Sequence, residues 1–162
     1  NPTHRLILIV DEIEEHLHPK WQRTILPAIM AVAESLQPQI HVQIFAATHS
    51  PLVLASLEPG FDTKTDKLFW LNFNQGKVEF QDYPWAIQGD VVGWLTSEIF
   101  GLQQARSKEA EEAIEAAEAF LRGELKDLPA GLKTKTQIQA GLEKVLPGID
   151  PFWPRWVVET EQ

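Results

Sequence analysis

Two adjacent carboxylates, Asp11 and Glu12, directly follow an apolar run at residues 6–10. Hydrolysis of a nucleotide needs one carboxylate that holds magnesium, usually through water, and a second acid that orients the attacking water. A buried strand that ends in two acids would place both at the carboxyl edge of a parallel sheet, where open α/β folds bind ligands. Taken alone the pattern is weak, because many buried strands end in Asp or Glu at a turn.

A second polar group, Thr48-His49-Ser50-Pro51, closes the next apolar run, residues 40–47. The carboxyl ends of parallel strands meet at the same edge of a sheet. We therefore expect His49 to lie at the same edge as the two acids.

The elements that must hold these residues begin with a strand and a helix. The run 6–10 is typical of a strand buried on both faces of a parallel sheet. Pro19 fits the first turn of a helix, and Pro27 inside that helix should kink it. Apolar residues recur there at helical spacing, namely Trp21, Ile25, Ile29, Val32 and Leu36.

Two further elements lie in this part of the chain. Ser50 and Pro51 form a good N-cap and first-turn pair for a helix over 52–57. Segments 67–73 and 77–80 flank Asn74-Gln75-Gly76, which predicts a hairpin. The alternation of strands and helices favours an α/β fold.

After Tyr83-Pro84 the composition changes and helices are predicted. Asp90 can cap a helix over 91–100, and Ser107 can cap a Glu- and Ala-rich helix through Arg122. Thr134 with Gln137 forms a capping box for a helix that reaches about Leu146. We therefore divide the chain into an α/β part at 1–84 and a helical tail at 85–162.

The sequence VDEIEEHLHPKWQ at residues 10–22, with THSP at 48–51, is distinctive. It resembles the ABC/RecF-like, AAA-type P-loop ATPases of bacterial defence and retron-associated systems. In that family a Walker B strand runs into DE-I-x-x-HLHP-x-WQ, and THSP comes after a helix and a strand. The resemblance covers about residues 5–57. It implies an ATPase head that uses ATP and Mg²⁺.

The resemblance implies a role for each matching residue. Asp11 matches the Walker B aspartate, which holds magnesium through water, and Glu12 matches the catalytic glutamate, which polarises water. His49 matches the switch histidine that senses the γ-phosphate, and Ser50 beside it is assigned to nucleotide binding. The remaining matches occupy the D-loop position, which in that family reaches across a head–head dimer interface. They are Glu15, His16, Leu17 and His18. Lys20, Trp21 and Gln22 match the pattern, with packing or helix-entry roles only.

Two nucleotide-binding motifs of the family are not found in these 162 residues. There is no G-x-x-x-x-G-K-[ST] phosphate loop, and Gly131-Leu132-Lys133-Thr134 only imitates one, because the Gly-Lys pair is interrupted and no strand precedes it. No LSGGQ-like signature is present either. Because the chain opens on Asn1, just ahead of an apolar strand, we expect the C-terminal half of an ATPase head, inactive by itself.

Composition narrows the classes of protein further. The formal net charge of −9 argues against nucleic-acid binding by this chain alone, because phosphate contacts need clustered Lys and Arg. The absence of cysteine excludes disulfide scaffolds, thiolate metal sites and cysteine nucleophiles. The longest apolar runs are too short to span a bilayer. We expect a cytoplasmic protein.

Three other features admit two interpretations each. His16 and His18 near Glu15 resemble a metal cluster, although a His-x-His pair at a strand–helix junction more often packs or contacts a partner. The acidic helix around 109–118 could dock a partner, but a solvated helix face explains it better. The aromatic segment Phe152-Trp153-Pro154-Arg155-Trp156 could be an exposed peptide, but we favour its folding onto the core.

The sequence therefore predicts ATP binding and hydrolysis in a head–head dimer that drives an effector. The resemblance suggests genome maintenance or anti-phage defence, with a nuclease or DNA as the partner. No Asp-x-Asp is present to suggest a built-in Toprim nuclease. The alternative is a non-catalytic interaction module derived from such an ATPase.

Overall fold

The computed structural model describes residues 4–37 and 39–160, and the chain divides into two compact units, Asn1–Gln103 and Gln104–Gln162. In chain order the elements are β1 (His4–Val10), α1 (Pro19–Ser35), β2 (Ile40–Ala46), α2 (Pro51–Leu57), β3 (Leu68–Asn74), β4 (Lys77–Tyr83), α3 (Val91–Leu95), α4 (Lys108–Leu121), α5 (Lys135–Val145) and α6 (Phe152–Thr160). The predicted mixed α/β class is confirmed.

Strands β1 and β2 form a parallel pair in which Val10 lies opposite Ala46. A parallel pair needs a crossover connection, and α1 supplies it. Both strands therefore end at the same edge. The segments directly beyond them, which carry the two acids and His49, start side by side.

Strand β1 is not buried on both faces, contrary to the sequence-based expectation. Ile7 and Ile9 are 62% and 75% exposed. Within the described residues β1 pairs only with β2, and its alternate side chains Leu8 and Val10 are the half-buried ones. The run is apolar throughout, but neighbouring elements of the described chain cover only one of its faces.

The two helices beside this sheet begin where the sequence predicts. Nδ1 of His18 accepts a hydrogen bond from the backbone N–H of Lys20 at the start of α1, and Pro19 occupies the first turn. The hydroxyl of Ser50 caps α2 by accepting from Leu52 N–H. Helix α1 runs through Pro27 without ending.

A small core joins these elements. Ile13, Leu26 and Val53 are buried together, so the segment after β1 packs against both helices. That packing fixes where the chain leaves the sheet edge.

Strands β3 and β4 form the predicted hairpin, in antiparallel register. Gln75 and Gly76 have φ of +47° and +81°, the left-handed pair typical of a tight two-residue turn. One face of the hairpin is largely apolar and exposed. Its apolar side chains are Phe69, Leu71, Phe73, Val78 and Phe80.

The segment 85–103, assigned from composition to the helical tail, lies in the first compact unit. The ring of Trp85 stacks on Phe61 with centroids 3.8 Å apart. The indole N–H of the buried Trp94 donates to the Glu58 carboxylate at 2.7 Å. These contacts join residues far apart in sequence, which a change of composition does not reveal. Helix α3 also ends at Leu95, before the predicted limit at Phe100.

The second unit is a cluster of three helices. Its core consists of Ala110, Ala113, Ile114, Ala117, Ile138, Leu142, Leu146, Phe152 and Trp156. The predicted caps of α4 and α5 are present, since Ser107 accepts from Ala110 N–H and Thr134 from Gln137 N–H. The aromatic segment at 152–156 folds onto this core, as the sequence favours, and the acidic residues of α4 lie mostly on its outer face.

No helix in residues 4–37 or 39–160 combines the length and apolarity that crossing a membrane would require.

We predict that Trp156→Ala lowers the free energy of unfolding of the second unit by about 3–5 kcal/mol. Trp156 is 1% exposed at the centre of the three-helix core, and its indole N–H donates to Gln139. The measurement is urea unfolding followed by far-ultraviolet circular dichroism.

The control for that prediction is Val158→Ala on the same helix, since Val158 is 58% exposed. It should change the free energy by less than about 0.5 kcal/mol. Equal effects of the two substitutions would contradict the placement of Trp156 in the core.

Candidate functional site

The acid pair sits immediately beyond β1, with both side chains exposed. Across the described parts of the chain, neither the Asp11 nor the Glu12 carboxylate forms a side-chain hydrogen bond or ion pair. Glu12 has φ +46°, a left-handed conformation that side chains other than glycine seldom adopt. Such conformations cluster at functional sites, where the surrounding structure holds them in place.

The backbone extends the β1–β2 pairing past the strand ends. Ala47 N–H donates to the Val10 carbonyl at 2.9 Å, and Ile13 N–H donates to the Ala47 carbonyl at 3.2 Å. The segment that carries Asp11 and Glu12 therefore runs beside the start of the segment that carries His49. The structure brings these three predicted residues to one sheet edge.

Glu14 joins the two segments through its carboxylate. One oxygen accepts from the Thr48 hydroxyl at 2.5 Å, and the other accepts from the His49 backbone N–H at 2.5 Å. The Thr48 hydroxyl in turn accepts from Ser50 N–H at 3.0 Å. Charge-assisted hydrogen bonds of this kind are shorter and stronger than neutral ones.

The pKa of Glu14 is lowered below its ordinary value of 4.5. Partial burial acts to raise this pKa. The hydrogen bonds from Thr48 and from His49 N–H outweigh burial because they stabilise the ionised carboxylate, and the nearby His49 side chain adds to them. Glu14 is therefore ionised at neutral pH.

Gln22 forms a second link between the same segments. Its amide N–H donates to the Leu17 carbonyl at 3.0 Å, and its amide oxygen accepts from the Ser50 hydroxyl at 2.8 Å. Ser50 is 6% exposed, and its hydroxyl both donates to Gln22 and caps α2. The structure thus gives Ser50 a local structural role. Its assignment to nucleotide binding stays a prediction.

The residues at the predicted D-loop position form a tight turn between β1 and α1. The side chain of His16 is 89% exposed, and its Nε2 lies 3.2 Å from a carboxylate oxygen of the exposed Glu15. His16 has φ +62°, and Leu17 is half-buried. His18 caps α1 with its ring nitrogen, so it holds the helix start. In residues 4–37 and 39–160, no three His, Cys, Asp or Glu side chains are grouped to hold a metal ion.

Sequence reasoning missed the residues that hold the site together. Glu14 falls at a variable position of the family pattern, and the pattern gives Gln22 only a packing or helix-entry role. One weak signal was available for Glu14. It lies three positions beyond Asp11, just past the strand end, where a carboxylate can reach the neighbouring segment.

We predict that Glu14→Ala lowers the free energy of unfolding by about 1–3 kcal/mol at neutral pH, because two hydrogen bonds to a charged acceptor are lost. Since the folded pKa is lowered, ionised Glu14 stabilises the fold fully above its ordinary pKa of 4.5. This stabilisation declines below that pH and is lost as pH falls through the folded pKa. The difference between wild type and variant should shrink accordingly in urea unfolding across that range.

Glu15→Ala is the matched control, because Glu15 is exposed and its carboxylate contacts His16 only weakly. Its effect should stay below about 0.5 kcal/mol at every pH. A loss for Glu14→Ala that does not vary with pH would contradict the role of its charge.

Comparison with known proteins supports the resemblance over the segment that carries this site. Residues 2–55 match the family described as "AAA domain, putative AbiEii toxin, Type IV TA system". The "Retron Vc95 probable ATPase" of Vibrio cholerae serotype O1 biovar El Tor is 47% identical over 51 residues, which are 32% of this chain and 9% of that protein.

Two other relatives match a longer segment at lower identity. The "Retron Ec83 probable ATPase" of Escherichia coli is 28% identical over 98 residues, 60% of this chain and 15% of its own length. The "Septu protein PtuA" of Bacillus mycoides (strain KBAB4) is 34% identical over 98 residues, 59% of this chain and 12% of its own length.

The matched part of the chain thus spans 9% to 15% of the length of these three relatives. The family match covers the segment that contains Asp11, Glu12 and His49, and two of the similar proteins are named as retron probable ATPases.

Proposed function

We propose that this chain supplies the Walker B acids and the switch histidine of an ABC/RecF-type P-loop ATPase. The observation that carries the proposal is the link from Glu14 to Thr48 and His49, which holds the acid-bearing segment beside the histidine-bearing one. The family match over residues 2–55 and the similarity to two relatives named as probable ATPases support it.

The exposed acids suit a magnesium ion with its water shell. Magnesium prefers oxygen ligands, keeps several waters and is usually bound by one or two carboxylates beside substrate phosphates. Asp11 and Glu12 present carboxylates of this kind at the sheet edge. When bound, ATP with its magnesium supplies the phosphoanhydride bond that water cleaves.

Each residue then has a distinct part in hydrolysis. Asp11 would hold the ion through water. Glu12 orients the attacking water and receives its proton, the role of a general base. His49 donates a hydrogen bond to the γ-phosphate, where negative charge must be stabilised. The backbone of His49 is held by Glu14 while its side chain stays exposed.

The proposed function extends to partners. The exposed turn at Glu15 and His16 corresponds to the D-loop and would contact a second copy in a head–head dimer. The retron and Septu names of the relatives are the support for a place in a bacterial defence system. The proposed partner there is an effector such as a nuclease, or DNA.

We predict that the 162-residue chain does not release phosphate from ATP by itself. It has no G-x-x-x-x-G-K-[ST] segment, whose lysine and backbone N–H groups stabilise the β- and γ-phosphates. The measurement is magnesium-dependent phosphate release from the purified chain. Turnover that Glu12→Gln abolishes would show that these residues form a complete site.

The second prediction concerns the complete ATPase that carries this sequence together with a phosphate loop. Glu12→Gln should bind ATP and stall hydrolysis, because the base is lost while size and hydrogen bonding are kept. Asp11→Asn should weaken magnesium-dependent binding itself. His49→Ala should bind normally and hydrolyse about 10 to 1,000 times more slowly.

Nucleotide affinity and turnover are measured separately for these three variants. Wild-type turnover by Glu12→Gln, with a different acid such as Glu14 or Glu15 indispensable instead, would show that the catalytic assignment is wrong. If the complete protein binds no nucleotide at all, the non-catalytic interaction module is the better description.

A further inference from the structure

The carboxylate of Glu14 contacts two successive residues of the switch segment, Thr48-His49-Ser50-Pro51. Its two oxygens accept from the Thr48 hydroxyl and from the His49 backbone N–H. Glu14 has no role in the family pattern, and among the described residues its carboxylate forms no hydrogen bond with Asp11 or Glu12. Its only partners among the described residues belong to the switch segment or to its own.

The side chain of His49 is exposed and makes no hydrogen bond or ion pair within the part of the chain that the structure describes. The backbone therefore fixes only the Cα–Cβ bond from which the imidazole of His49 extends. The N–H of His49 is fixed by Glu14, and the flanking Thr48 is fixed by the same carboxylate. On the other side, Ser50 is held by Gln22 and by the start of α2. The residues on both sides of His49 are thus tied to the β1–α1 segment.

We propose that Glu14 is a positioning residue, which holds the backbone of His49 in the orientation that hydrolysis requires. The inference rests on the proposed function, because it assumes that His49 acts on the γ-phosphate. It adds a physical link between the acid-bearing segment and the switch segment. A displacement of the first then moves the second.

A first experiment tests the link without any nucleotide. Amide NMR spectra of the 162-residue chain are recorded for wild type, Glu14→Ala and Thr48→Val. Glu14→Ala should move the His49 amide resonance strongly and remove its protection from hydrogen exchange. Thr48→Val keeps the side-chain shape and removes one of the two contacts, so it should have a smaller effect, and Thr48→Ser should restore the wild-type signal.

The matched control is Glu15→Ala, which removes the next carboxylate along the same turn. It should leave the His49 amide unchanged, because among the described residues the Glu15 carboxylate pairs with His16 and not with the segment that carries His49. If Glu14→Ala leaves the His49 amide unchanged, or if Glu15→Ala moves it equally, the positioning role is overturned. This result does not depend on whether the protein hydrolyses ATP.

A second experiment measures kinetics in the complete ATPase. Glu14→Ala should lower kcat by about 10- to 100-fold, the scale expected when a catalytic group is misplaced by about 1 Å. The KM for ATP should change by less than about 3-fold, because the phosphate loop that binds the nucleotide is untouched. A merely structural defect would lower the amount of folded enzyme and leave kcat per folded molecule unchanged.

The double variant Glu14→Ala/His49→Ala decides whether Glu14 acts through His49. Since neighbouring residues with one shared role are non-additive, the double variant should be no slower than His49→Ala alone. Fully additive losses, or wild-type kcat for Glu14→Ala, would overturn the positioning role while the proposed function stands. If instead His49→Ala has no effect on an active enzyme, the assignment of His49 fails, and the NMR result still reports on the link itself.

Discussion

The carboxylate of Glu14 connects two segments that the chain separates by α1 and β2. A parallel strand pair brings the starts of these segments together, but it does not fix the path of the backbone past the last ladder hydrogen bond. Beyond that point the Glu14 carboxylate joins the two segments by accepting from Thr48 and His49 at once. The hydrogen bond between Ser50 and Gln22 is a second link. Together these contacts hold the segment that carries Asp11 and Glu12 beside the segment that carries His49.

The residues that position the site differ from the residues proposed to act on the nucleotide. Glu14, Gln22 and Ser50 are partly or largely buried, and their side-chain hydrogen bonds join the β1–α1 segment to the segment 48–51. Asp11, Glu12 and His49 are exposed at the same edge. A site that must bind a charged ligand benefits from this division, because preorganised groups lose little free energy to rearrangement when the ligand arrives. The left-handed backbone at Glu12 fits the same view, since such strain persists only where neighbours enforce it.

The first unit exposes apolar side chains on both of its sheets. Parallel sheets are normally covered on both faces, yet β1 exposes Ile7 and Ile9, and the β3–β4 hairpin exposes five apolar side chains. The described residues provide two separate two-stranded sheets, each with few neighbours. A two-stranded sheet is only marginally stable by itself, so the buried cluster of Ile13, Leu26 and Val53 helps to stabilise this unit.

Local signals in the sequence determined most of the elements. Ser50, Ser107 and Thr134 start helices because a hydroxyl beside an open helix end satisfies a backbone N–H, whatever the rest of the fold does. The turn at Gln75-Gly76 is set by its need for positive φ. The acid pair and the THSP segment were likewise recognised from residue type and order alone. The comparisons confirm the family similarity of the segment that contains them.

Contacts between residues distant in sequence were decided only by the tertiary structure. Contacts made by Trp85, Trp94 and Glu58 place the segment 85–103 in the first unit, although the change of composition after Tyr83-Pro84 assigned it to the helical tail. The apolar pattern of β1 predicted burial, but burial requires neighbours, and a strand's own sequence does not supply them. Glu14 shows the same limit most clearly. Its chemistry was visible in the sequence, whereas its partners, Thr48 and His49, became its neighbours only when β1 and β2 paired in register.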